Sequence, residues 1–330
     1  MLHTGILLSM NIYLSNSDYL AYFGSFLEKI DLTDPDRLDI TTHDTWISVH
    51  PAILTFVAAL GCNVSKENVT IDEVSARSGH YLERMGLFQM LGLPSQFTIA
   101  EHEASGRFIP LTVIKTAEEQ TKFITDMVPL LHLSPEHADA IKYTIGELVR
   151  NVLEHSESKN GAIVAAQYYQ KSNMIRLGIC DTGIGVKDAI SQSWKVGNDI
   201  EALKLALVPG ITGTTRREGG TDANAGAGLF FIKSMAAMGR DYFMIYSGKG
   251  VYRLLKRRPS KKLPPLFADP QKDKHAETND AAFFQGTLVA VDISLDNTQQ
   301  FSALLSVIRS TYTQAVKERR KAIYKRPKFI

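Results

Sequence analysis

Three polar residues set four apart are the first sign of chemistry in this chain: Glu147, Asn151 and His155. On a helix that spacing stacks them in one stripe. A carboxylate, an amide and an imidazole in line can serve a bound metal–anion pair, or they can form a solvated helix face. A second cluster, Asp181-Thr-Gly-Ile-Gly185, ends an apolar run. Its glycines let the backbone bend closely round a flat ligand, and a carboxylate at a strand end can accept from a purine amino group. A simple turn after a strand is the plainer reading. A third cluster, Gly226-Ala-Gly-Leu229, enters an apolar helix, where free N–H groups and the helix dipole favour an anion. It lacks the Gly-Lys-Ser/Thr ending of a Walker loop and the βαβ spacing of a dinucleotide fingerprint. The pair Gly286-Thr287 opens a last apolar strand.

Each cluster needs an element to hold it. The spacing of Ile141, Ile145, Leu148 and Val152 predicts a helix from a Ser134 cap through Pro135 to His155. Residues 162–169 and 174–180 are expected as strands about a Lys171–Asn173 turn. Residues 191–224, glycine-rich, are expected as a lid or a loose loop. Gly226 to Lys233 starts a helix expected to run to Met238 and end at Gly239, with Lys233 on its surface. Strands follow at 241–246, 251–255 and 288–293, then a helix at 298–315 and a basic tail, Lys317 to Lys328.

Upstream, a helix is expected over 17–30 and a strand over 37–41. A second helix opens at His50-Pro51 and stops at Gly61. A strand over 69–74 and a helix over 78–91 complete an alternation that indicates a small α/β unit. The fold class expected overall is α/β. Residues 1–105 form the small unit, 106–296 a larger domain interrupted by a basic, Pro-rich insertion at 256–285, and 297–330 a C-terminal helix and tail.

The composition is that of a folded, water-exposed protein: 330 residues, 44% hydrophobic and 22% charged. A net charge of +2 argues neither for nor against nucleic acid. Cys62 and Cys180 are the two cysteines, which suits a reducing compartment and excludes a cysteine-rich zinc site. No apolar run reaches the ~20 residues of a membrane span. Met1 to Ser15 has no basic leader or small-residue cleavage site, and Met10 is an alternative start. A cytoplasmic protein is expected.

Together, Glu147/Asn151, Asp181/Gly183/Gly185, Gly226/Gly228 and Gly286-Thr287 resemble, in order and setting, the four boxes of the GHKL ATP-binding superfamily. The resemblance covers Leu130 to Ile293. It implies a Bergerat fold, a two-layer sandwich of helices on one face of a mixed sheet, with ATP under a lid at about 186–225. It implies that Asn151 coordinates Mg²⁺, that Asp181 accepts from the adenine amino group with Thr287 supporting it through water, and that Gly183, Ile184 and Gly185 line the base and ribose. Gly226, Ala227 and Gly228 would hold phosphates, with Leu229 behind them. His155 would contact phosphate or cap its helix. Arg216 and Arg217 either reach a γ-phosphate or stay in solvent.

Glu147 matches the glutamate that activates water in gyrase-like ATPases and lies near the accepting hydroxyl in anti-sigma serine kinases. Its job would be general base or water positioner for attack on the γ-phosphorus, a glutamate role that sensor histidine kinases usually lack. Residues Asp39 to Gly92 resemble STAS domains, the regulatory modules of anti-sigma antagonists. The place of their phosphorylated serine or threonine holds His50-Pro51, so no phosphoacceptor is expected. The function implied is an ATPase or protein serine/threonine kinase with a regulatory protein partner, of STAS type or otherwise, with room for a homodimer and none for a membrane. Two alternatives stand beside it: a nucleotide-responsive binding module with negligible turnover, and a nucleic-acid-associated ATPase using Lys256–Lys262 and the tail on phosphates.

Overall fold

The structure, a computed structural model, describes residues 9–97, 108–126, 128–131, 133, 135–213, 228–258, 260, 264–295 and 301–323. The protein is α/β. Its N-terminal part contains β1 (Met10–Leu14), α1 (Phe23–Leu27), β2 (Leu38–Thr42), α2 (Pro51–Cys62), β3 (Val69–Ile71), α3 (His80–Arg84) and α4 (Leu87–Leu91). The three strands form a parallel sheet in the order β1-β2-β3, with Met10 opposite Leu38 and Leu38 opposite Val69.

The rest comprises β4 (Phe108–Ile114), α5 (Ala117–Asp126), α6 (Pro135–His155), β5 (Ala162–Tyr169), β6 (Met174–Asp181), α7 (Gly185–Ser191), α8 (Asp199–Ala206), α9 (Gly228–Gly239), β7 (Phe243–Gly248), β8 (Gly250–Leu254), β9 (His275–Thr278), β10 (Phe284–Ser294) and α10 (Phe301–Ile323). Its seven strands lie in the order β4-β5-β6-β10-β7-β8-β9. Every adjacent pair is antiparallel. The mixed sheet expected is therefore corrected: among the described strands, those of the small sheet alone pair in parallel.

Strand alternation divides the larger sheet between two cores. Ile175, Leu177 and Ile179 of β6, with Val289, Val291 and Ile293 of β10, pack with Ile141, Ile145 and Leu148 of α6 and Ile232 of α9. The opposite face carries Cys180, Leu288 and Ala290, in one cluster with α2 and with Ile12, Leu38 and Ile40 of the small sheet. This double burial makes the central strands nearly continuous apolar runs. α2 is apolar on all sides because Pro51 through Leu60 are all buried. Phe26 and Phe56 of the N-terminal part meet edge to face, and Phe56 meets Phe284 of β10 at a centroid distance of 4.9 Å. Such pairs are worth about 0.5–1.5 kcal/mol each beyond area burial.

Two polar details fix this contact. His50 caps α2: its Nδ1 accepts from the Ala52 N–H at 3.0 Å, so Nε2–H donates to Asp292 of β10, also at 3.0 Å. Complete burial holds the imidazole pKa below its ordinary value, against the pull of Asp292. Gly178 of β6 lies directly beneath α2, and a Cβ there would overlap the Cα of Ala52. Backbone cannot step aside as a side-chain tip can. Gly178→Val is expected to cost about 1–3 kcal/mol, read as a lowered denaturation midpoint. An unchanged midpoint would show that α2 is not seated there.

Several local expectations are corrected. The helix over 17–30 shrinks to a 3-10 turn, Leu20–Tyr22, and α1. Upstream of it the Asp18 carboxylate accepts from the Ser15 N–H, and Asp18 bridges to Val49, which keeps the backbone extended. Gly61 does not stop α2; its missing Cβ makes room for Leu91. The helix over 78–91 breaks at Gly86, which takes φ +77°. β1 had no expected counterpart. Within the supposed lid, α8 forms because the Asn198 side chain accepts from the Glu201 N–H; residues 214–225 lie outside the described residues. The insertion contributes β9 to the sheet edge. α10 runs to Ile323 and so takes in the start of the basic tail.

Lys233 is the largest correction. Its side chain is fully buried and ion-paired with Asp273, also fully buried. Its Nζ further donates to the Phe267 carbonyl at 3.1 Å. This pair ties the insertion to α9. Among the described residues no helix is long and apolar enough to cross a membrane.

Candidate functional site

α6 presents Glu147, Asn151 and His155 to one cavity of about 310 Å³. The buried side of the helix is set by Ile141, Ile145 and Leu148, which leaves the polar stripe at the edge of the sheet. Ser134, the expected cap, lies outside the described residues. Asp181 ends β6 and is 2% exposed. It lines the same cavity with Thr287, its cross-strand neighbour on β10. Gly185, Gly228 and Leu229 also line it, so residues from five separate elements converge.

Tyr143, Glu147, Arg150 and Asn151 line the cavity from α6, with Glu147 and Asn151 beside Gly228. Asp181 lines it with Ile179, Val289 and Ile245, carried by the neighbouring strands β6, β10 and β7. Burial pushes the Asp181 carboxyl up to about 7, opposed by the N–H groups of Gly183 and Thr287 that donate to it. Gly183 N lies 2.8 Å from its Oδ1. Burial also raises the Glu147 carboxyl, and Arg150 opposes it. The Arg150 Nη2 donates to Glu147 Oε1 at 2.5 Å.

The α9 entry lies beside this pair. A Cβ on Gly228 would stand 2.7 Å from Glu147 Oε2 and 3.3 Å from the Asn151 side-chain nitrogen, so a larger residue there would push the Glu147 carboxylate from its present place. Gly226 and Ala227, expected phosphate contacts, lie outside the described residues, as do Arg216 and Arg217. Among the described residues, Asn151 Nδ2 and His155 Nδ1 are buried and find no hydrogen-bond partner. Buried polar groups seldom go unpaired. These two keep capacity for a further partner, which fits a polar, anionic guest better than an apolar one. Among the described residues, no group of three or more His, Cys, Asp or Glu is spaced to hold a metal ion. A cation here would take most of its ligands from phosphate and water, as Mg²⁺ commonly does. The amide of Asn151 fits that limited share.

Not every expected residue lines the cavity. A Cβ on Gly183 would overlap the Ser156 carbonyl oxygen, and the Ile184 N–H donates to that same oxygen at 2.7 Å. Both residues dock the β6–α7 turn onto the end of α6, and neither is among the lining residues. Gly185 takes φ +80°, where a side chain would be strained.

Sequence reasoning missed Tyr143, which lies four residues before Glu147 and so extends the stripe by one turn. It missed Ser247, whose hydroxyl accepts from Val186 N–H at 3.0 Å and donates to the Gly286 carbonyl at 2.5 Å. A lone serine at a hairpin carries no signal. It also missed the wall formed by Ile211 and Thr212, fixed by the Trp194 Nε1–H donating to the Thr212 carbonyl at 2.9 Å.

No model of a known protein family matches this chain, and no curated protein matches it.

Proposed function

We propose that the cavity binds Mg-ATP in the manner of the GHKL ATPases and that the protein hydrolyses it or transfers its γ-phosphate to a protein hydroxyl. The observation carrying this reading is the convergence itself: a buried carboxylate among apolar strand residues, and in the same cavity an amide with no partner among the described residues, a second carboxylate and a glycine helix entry, these three side by side. Each element of that set answers a different part of a nucleotide. Asp181 accepts from the adenine amino group while Ile179, Ile245 and Val289 surround the ring. The Gly228 end of α9 offers N–H groups and a dipole to phosphate. Asn151 would hold Mg²⁺, which when bound offsets charge on the phosphate oxygens. Glu147, one turn from Asn151, accepts the proton of the attacking water or hydroxyl. The strictly antiparallel large sheet departs from the family's mixed one, so the proposal rests on the site rather than on topology.

A protein partner fits the kinase form of the reading. The N-terminal part sits on the face of the large sheet opposite α6, and β6 and β10 carry residues of both surfaces: Gly178 with Asp181, and Asp292 with Thr287. No specific observation favours nucleic acid.

The test is calorimetric titration with ATP and Mg²⁺ across pH. An adenine amino group is accepted more strongly by the ionised Asp181 carboxylate than by the neutral acid. Below about 7 the folded protein holds that group protonated, so the tighter complex forms with loss of a proton. Affinity is expected to rise as pH rises through about 7 and then level off, and Asp181→Ala should remove both the binding and its pH dependence. Absence of binding by the unaltered protein at saturating ATP would end this reading.

A further inference from the structure

Among the described residues lining the cavity, Arg150 is the one arginine or lysine, set against Glu147, Glu154, Glu157 and Asp181. A polyphosphate entering such a site meets net negative charge unless this guanidinium turns toward it. Arg150 is placed to do so. Its side chain is 44% exposed, while that of Glu147, its partner, is 13% exposed. The arginine can therefore move while the glutamate is held. One N–H of its five-donor fork is committed to Glu147, and the rest remain for phosphoryl oxygens, which the planar fork suits. The glutamate's other oxygen faces Gly228 at the start of α9, so the ion pair stands beside the helix entry assigned to phosphate.

We infer that the site selects nucleoside triphosphates over diphosphates, with Arg150 reading the terminal phosphate. In the ligand-free protein Arg150 neutralises Glu147. When a terminal phosphate is present the guanidinium donates to its oxygens, and Glu147 loses its cation and becomes the stronger proton acceptor. Only a ligand long enough to reach Arg150 makes that exchange, which couples selection to activation. The inference rests on the nucleotide reading above.

The full-length protein, Arg150→Gln and Arg150→Lys are titrated with ATP and with ADP at fixed Mg²⁺, with thermal melts to confirm folding. The unaltered protein is expected to bind ATP about tenfold more tightly than ADP, the scale of one charge-assisted contact. Arg150→Gln should abolish the preference, weakening ATP about tenfold more than it weakens ADP. Arg150→Lys, which keeps charge without the fork, should fall between. A glutamine variant that weakens or spares both nucleotides alike, or an unaltered protein that binds both equally, overturns the inference and leaves nucleotide binding intact. An unaltered protein that binds neither overturns both.

Discussion

Glu147→Gln is expected to leave ATP binding close to that of the unaltered protein while lowering turnover by about 10²–10⁴-fold, the usual contribution of a positioned general base. Glutamine keeps the volume that packs beside Gly228 and an oxygen to which Arg150 can donate, and removes the charge and with it the capacity to take a proton. The environment matters as much as the residue. Burial raises the Glu147 carboxyl above the ordinary glutamate value, and Arg150 holds part of that rise back. Turnover should therefore fall on the acid side at a higher pH than a free glutamate would give, because the base must be ionised to act. Phosphate release, measured beside ATP binding across pH, checks both statements. A glutamine variant that hydrolyses ATP at the original rate would remove Glu147 from the chemistry without touching the binding proposal.

Lys233→Met is expected to destabilise the protein by about 3–5 kcal/mol, the cost of leaving a buried ion without its partner. Asp273 would remain fully buried with its cation gone, and one of its oxygens already lacks a hydrogen bond. The pair as a whole is worth far less than that loss suggests, because both ions were desolvated to form it. Lys233→Met with Asp273→Leu should therefore recover most of the stability. Denaturant titration of the three proteins supplies the comparison. A single variant within about 0.5 kcal/mol of the parent would place Lys233 at an ordinary surface position. The consequence reaches the site through α9, whose first residue, Gly228, lines the cavity.

Lys233 also shows where sequence reasoning failed and what should have corrected it. The helix Gly-Leu-Phe-Phe-Ile-Lys-Ser-Met-Ala-Ala-Met-Gly has no polar face on which a lysine can rest, and a helix apolar all round is a buried one. Its partner lies 40 positions away in an insertion whose prolines and basic residues suggest an exposed arm. Gly178 and His50 were obscured in the same way. A glycine in a strand and a histidine before a proline are ordinary, until α2 is laid across β6 and β10.

What the sequence alone determined was local. The α6 stripe, the strands β5 and β6, and the turn at Asp181 follow from side-chain period and turn chemistry, which are fixed by backbone geometry within a few residues. From them the stretches that bound the cavity could be chosen before any fold was known. Tertiary structure decided which of those residues face the cavity and which pack behind it, as Gly183 and Ile184 do against Ser156. It also decided which charges lose their water: Lys233, Asp181 and Glu147 take their character from groups brought close by folding. Desolvation depends on everything packed around a side chain, and most of that neighbourhood is distant along the chain.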